Sequence, residues 1–141
     1  MTMPDPRVNV TPEDVGMVVS KFYAAVREHP VLGPVFYLII GQSEALWREH
    51  EEKIAAFWRN AILYEREYSG NPMLAHLGAS AIESKHFPIW LGLFERVLIE
   101  NLSQEQAQDW SLLANRIGRG LKFGMETFRQ IDGKVPNLRN L

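Results

Sequence analysis

The chain contains no cysteine. That excludes disulfides, zinc–thiolate sites, iron–sulfur clusters and any cofactor held through a cysteine sulfur. It has no surplus of positive charge either. Fifteen Lys and Arg against seventeen Asp and Glu leave a formal net charge of −2, so no basic surface argues for a nucleic-acid partner. Long apolar runs are also missing. The longest, residues 35–40, is far too short to span a bilayer. Residues 1–10 carry Pro4 and Pro6 and lack the apolar stretch of a signal peptide. These absences predict no membrane association and a cytoplasmic location. No internal repeat or low-complexity tract interrupts the 141 residues, a length suited to one core. Residues 1–10 read as a flexible lead, 11–130 as the folded domain, and 131–141 as a flexible tail containing Gly133 and Pro136.

What is present is aromatic and helical. Four Trp, four Tyr and seven Phe are enough to build a core or to line a pocket for a flat apolar ligand. Four long helices can be read. The first begins at Thr11, an N-cap, with Pro12 at the first helical position. Val15, Val18, Val19, Phe22, Tyr23 and Val26 follow at helical spacing, and Pro30 predicts a stop near His29. The second begins near Ser43, with Leu46, Trp47, His50, Ile54, Phe57, Trp58 and Ala61 on one face. The third opens near Ser84 and carries Phe87, Trp90, Leu91, Phe94 and Leu98. The fourth opens at Ser103, with Gln106 completing a capping-box pattern, and carries Trp110, Leu113, Ile117, Leu121 and Phe128. No segment alternates as a strand does. Between the second and third helices, Asn71-Pro72 begins a single turn that carries His76 near its end, and Gly78 suits a left-handed stop.

The four histidines divide by position. His29 falls at a helix end among charges, where a solvated imidazole favours the helix dipole. His86 follows Glu83 at the spacing used in di-iron bundles, but such sites need a second Glu-x-x-His, which the chain lacks. A surface role, or a contact to an anionic cofactor group, suits it better. His50 shares the inward stripe of Ile54 and Phe57. Taken singly, an inward histidine is more often a hydrogen-bonded core residue than a ligand, and the same holds for His76. As a pair, one on a long helix and one on a following turn, they are placed to face each other across a slot walled by Phe36, Phe57, Phe87 and Trp90. Haem requires such an apolar sandwich, with an imidazole on one side and polar groups on the other.

The order of local strings carries more weight than any single motif. Phe22-Tyr23 is followed by Leu32-Gly33-Pro34-Val35-Phe36, then by Trp47-Arg48-Glu49-His50, Lys53-Ile54 and Phe57-Trp58. Tyr68-Ser69-Gly70-Asn71-Pro72-Met73 and His76 come next, and His86-Phe87 and Trp90-Leu91 last. Over about residues 11–130 this set resembles the truncated haemoglobins, and specifically their third group. The glycine motifs flanking the helices of the first two groups are not evident, which favours the third. The resemblance implies an all-α fold, the truncated globin-like two-over-two helical sandwich around haem b. It implies His76 as the proximal iron ligand and metal-binding residue. Tyr23, His50 and Trp90 are then the distal groups, Phe36 packs on the haem face, and Lys53 pairs with a propionate. Ile54, Phe57, His86 and Phe87 complete the expected cofactor contacts.

Donors fixed in a water-poor pocket act strongly on a ligand that gathers negative charge, and Tyr23, Trp90 and His50 each have a proton to offer. The expected function is therefore binding of oxygen and other diatomic gas ligands. The alternative is an enzyme for nitric oxide dioxygenation or peroxide-driven oxidation. That use would require an external reductase, since the chain has no flavin or nicotinamide motif.

Overall fold

The structure, a computed structural model, describes residues 5–65 and 81–132, with side chains as far as residue 128. Among the described residues there are five helices and no strand: α1 (Pro12–Glu28), α2 (Leu32–Ile40), α3 (Glu44–Leu63), α4 (His86–Asn101) and α5 (Gln104–Asp132). None is long and apolar enough to cross a membrane. Helix α1 packs on α3 and α4 packs on α5; α1 also lies against α4, and the short α2 touches α1, α3 and α4. This is the expected two-over-two sandwich.

The helix starts follow local chemistry. The Thr11 hydroxyl accepts from the Asp14 amide at 3.1 Å while the Thr11 amide donates to the Asp14 carboxylate at 3.0 Å. Ser103 and Gln106 make the same reciprocal pair at the start of α5. Each box satisfies two amides that the helix itself leaves without partners. Ser43 caps α3 as expected. Helix α4 starts at His86, two residues beyond the expected Ser84.

Helix α2 has no counterpart in the sequence pattern, where residues 35–40 stand out only as an apolar run. Pro34 lies in its first turn, where its missing amide costs nothing, and Gly41 stops it with φ 99°. Gly33 is demanded by packing. A Cβ there would lie 3.0 Å from the Arg27 carbonyl oxygen and 3.2 Å from that of Val26, so α2 can leave α1 this sharply only with a glycine. His29 takes part in the same corner. Its Nδ1 accepts from the amides of Val31 and Leu32 at 3.1 and 3.2 Å. The expected solvated histidine serving the α1 dipole is instead a side-chain acceptor for the first amides of the next helix.

Residues 7–10 are held against the frame, where a flexible lead was expected. The Arg7 amide donates to the Ile62 carbonyl at 3.0 Å, its guanidinium to that of Ala61 at 2.8 Å, and Val8 is 1% exposed. Two residues assigned to inward faces lie outside: Leu46 is 48% exposed and Phe128 is 39% exposed.

The core is organised around Phe94. It stacks on Trp58 at 5.4 Å and on Trp90 at 5.2 Å, and meets Phe22 at 5.1 Å and Trp110 at 5.7 Å edge to face. Those rings come from α1, α3, α4 and α5, so one aromatic cluster ties all four long helices together.

Candidate functional site

Beside this cluster lies a cavity of about 220 Å³. Helix α1 supplies Tyr23 to its wall, α2 supplies Val35, Phe36 and Ile39, and α3 supplies His50, Ile54, Phe57 and Trp58. Ile82 precedes α4, which supplies His86, Phe87 and Trp90; α5 closes the slot with Ala114, Ile117, Gly118 and Leu121. The lining is almost entirely apolar and aromatic. A second depression, about 380 Å³ between α4 and α5, is lined by Glu95, Asn115, Arg119 and Lys122 among others and holds no histidine or tyrosine. The first is the functional candidate because it gathers the inward Tyr and His side chains.

The polar centre of the slot is a pair. His50 Nε2 lies 3.1 Å from the Tyr23 hydroxyl, with the rings edge to face at 5.1 Å. Phe36 packs edge-on against Tyr23 at 5.9 Å. Helical spacing explains the set, since His50, Ile54 and Phe57 recur at four and three residues on α3 and so share one face.

The start of α3 is anchored one turn earlier. Trp47 is fully buried, and its indole N–H donates to the Gly41 carbonyl at 2.9 Å. The Arg27 guanidinium lies over the Trp47 ring at 4.6 Å, donates to the Tyr37 hydroxyl at 3.1 Å and pairs with Glu44. Arg27 on α1 thereby fixes both α2 and the first turn of α3.

Burial sets the protonation of the pair. It raises the Tyr23 pKa well above that of an ordinary phenol, with a smaller contribution from Glu51, so Tyr23 keeps its proton as a donor. Burial, and then the nearby charge of Lys53, push His50 from 6.5 down to about 4, so it is neutral at pH 7. A stability effect follows. In the unfolded chain the imidazole takes up a proton as pH falls through 6.5, whereas in the fold it does so only near 4. The unfolded state binds more protons in that window, so stability falls from pH 6.5 toward 4 and the loss is constant below. Thermal melts should show wild type losing Tm between pH 7 and 5 relative to His50→Leu. Parallel curves for the two proteins would show that His50 titrates normally.

Eight of the residues expected from sequence line this cavity: Tyr23, Phe36, His50, Ile54, Phe57, His86, Phe87 and Trp90. His86 corrects one alternative, since at 7% exposed it has no surface role. Its Nδ1 accepts from the Glu83 amide at 2.9 Å. Lys53 does not line the cavity; it is exposed, with Nζ 3.9 Å from Glu49. His76 and the string from Tyr68 to Met73 lie outside the described residues. Among the described residues no three His, Asp or Glu side chains gather as a metal site.

The sequence reading missed the walls made by Val35 and Ile39 on α2 and by Ala114 and Gly118 on α5. Their signals were present. Val35 and Ile39 are four apart, and Ala114, Ile117, Gly118 and Leu121 are spaced three, one and three apart, a single helical stripe.

No protein-family model matches the sequence. Individual proteins do. Over 89 residues, 63% of this chain and 70% of the relative, it is 38% identical to the group 3 truncated hemoglobin ctb of Campylobacter jejuni subsp. jejuni. Its fold superposes on the crystal structure of the group III truncated hemoglobin from Campylobacter jejuni with a TM-score of 0.79 and 32% identity, covering 83% of this chain and 92% of that one. These likenesses place the chain among the globins. More narrowly, it belongs to the group III truncated haemoglobins.

Proposed function

We propose that this chain holds haem b in the slot and uses it to bind oxygen and other diatomic ligands. The contact of buried Tyr23 with half-buried His50 inside an aromatic-walled cavity is the observation that carries the reading. The lining fits the group. Phe36, Ile54, Phe57, Phe87 and Trp90 offer apolar faces to a flat macrocycle. A neutral imidazole and a phenol that keeps its proton are the donors and acceptors such a pocket needs. His76 is the proximal ligand in this reading, on the strength of family membership, and Lys53 would leave Glu49 to meet a propionate. Bound haem would supply an iron with a position open to a diatomic ligand.

The residues then act as a donor relay. A phenol has one proton, so its use depends on the His50 tautomer. With the His50 proton on Nε2, that N–H donates to the Tyr23 oxygen and leaves the Tyr23 hydroxyl free to donate into the slot. With the proton on Nδ1, Tyr23 donates to His50 and offers nothing to a ligand. The first arrangement supports ligand binding, and each hydrogen bond in the chain polarises the next. Trp90 would add its indole N–H from α4. Apolar walls exclude water, so these dipoles act at low dielectric.

A visible spectrum of the purified protein with added haem tests the reading, and a colourless protein that takes up no haem overturns it. His76→Gly should lose haem retention, and added imidazole should restore the spectrum by refilling the vacated position. A Soret band unchanged by the substitution, without imidazole, would remove His76 as the ligand.

A further inference from the structure

We infer that His86 is a carboxylate anchor: its imidazole donates a hydrogen bond from Nε2 to an acidic group on the edge of the molecule held in the slot. The inference rests on the haem reading above, whose ligand carries such groups as propionates.

Three observations carry it. First, His86 is 7% exposed, the only buried polar or charged residue among the described residues. A polar side chain this buried is normally hydrogen-bonded, and since Trp110 Nε1 is the one sealed unpartnered side-chain atom among the described residues, His86 Nε2 still opens onto accessible space. Second, only one ring nitrogen has a partner among the described residues. Nδ1 lies 2.9 Å from the Glu83 amide, which is a donor, so Nδ1 must accept and cannot carry a proton. The neutral ring therefore has its proton on Nε2, and no acceptor for it is found among the described residues. Third, His86 lines the same cavity as Tyr23 and His50. The wall of that cavity is otherwise mostly apolar, with Ile82, Phe87 and Leu121 among its lining. The slot thus holds, in a mostly apolar wall, a second polar group whose hydrogen-bond partner differs from that of the Tyr23–His50 pair.

The same geometry decides what His86 is not. Ligating a metal through Nε2 requires a lone pair there and a proton on Nδ1. A proton on Nδ1 would point at the Glu83 N–H, donor against donor. His86 as held by this turn serves an acceptor atom of the ligand and not its iron. Lys85 makes no competing claim to the place, because it is exposed and pairs with Glu83 at 3.3 Å.

The test uses the full-length protein reconstituted with haem or with haem dimethyl ester, in which both carboxylates are masked. The readout is the rate at which each leaves for an excess of a haem-scavenging acceptor protein. A hydrogen bond to a charged group corresponds to roughly tenfold or more. His86→Phe should therefore release haem about tenfold faster than wild type and leave the rate for the dimethyl ester unchanged. His86→Gln keeps both an acceptor for the Glu83 amide and a donor for the carboxylate, and should retain most of the wild-type hold on haem. The Soret band and spin state should be the same in all three proteins.

Equal acceleration for haem and ester in His86→Phe would make His86 a packing residue and overturn the proposal. So would an unchanged rate for both, or a changed spin state, which would point to the iron. If wild type takes up neither compound, the haem reading falls and this assignment with it. If wild type holds haem firmly and His86→Phe alone has no selective effect, only the assignment falls.

Discussion

Replacing Tyr23 by phenylalanine should speed oxygen release roughly ten- to a hundredfold, the range of a hydrogen bond of about 1.5–3 kcal/mol to a partly charged acceptor. The substitution is clean. Tyr23 is 3% exposed and its ring is gripped by Phe22 at 5.1 Å and Phe36 at 5.9 Å, contacts that a phenylalanine keeps. What disappears is the hydroxyl that meets His50 at 3.1 Å. Changes of this kind appear mainly in the off-rate. Carbon monoxide gathers less charge on its outer atom and should respond less. His50→Leu should act in the same direction with smaller effect, because it removes the donor behind Tyr23 and leaves the hydroxyl in place. Stopped-flow displacement of oxygen measures both. An unchanged rate in Tyr23→Phe would reduce the slot to an apolar cavity with a core tyrosine beside it.

The largest loss of stability is expected at Phe94. It is 1% exposed and shares ring contacts with Phe22, Trp58, Trp90 and Trp110. Phe94→Ala removes the ring that all four long helices use in common. Such truncations cost about 3–5 kcal/mol, a large part of the stability of a domain this size. Ile99 lies five residues on in the same helix but is 63% exposed, and Ile99→Ala should change stability by no more than about 0.5 kcal/mol. Denaturant titration of the two variants beside wild type reads the contrast. Similar midpoints for Phe94→Ala and Ile99→Ala would mean that the aromatic cluster does not hold the fold.

Elements that announce themselves through short-range chemistry were legible in the sequence. Thr11 with Pro12, Ser43, and Ser103 with Gln106 each mark a helix start by residues within one turn, and all three serve as caps. The inward placement of His50 followed from its register with Ile54 and Phe57. Helix α2 was not legible as a helix. It is nine residues, too short for a period to show, and apolar almost all round. Its existence depends on the tight approach of Gly33 to the Arg27 carbonyl and on His29 accepting from its first amides, both set by the corner with α1. Leu46 illustrates a different limit. Its spacing fits the inward stripe, yet it lies in the first turn of α3, beyond the edge of the core, and remains 48% exposed. The α5 wall was half read. Ile117 and Leu121 were assigned to a face; Ala114 and Gly118 share that register but carry little side chain, and a Cβ on Gly118 would meet the Leu91 side chain at 3.2 Å.

The crowding of indoles around this slot gives the molecule an optical property. Of its four tryptophans, Trp58 and Trp90 form part of the cavity wall, Trp110 sits 5.6 Å from Trp58, and Trp47 sits 6.5 Å from Tyr23. No indole is posted at a remote surface to emit independently of the interior. A light-absorbing guest in the slot would lie within short energy-transfer range of the whole emitting population, and its arrival or departure would dim or restore nearly all of the protein's own fluorescence.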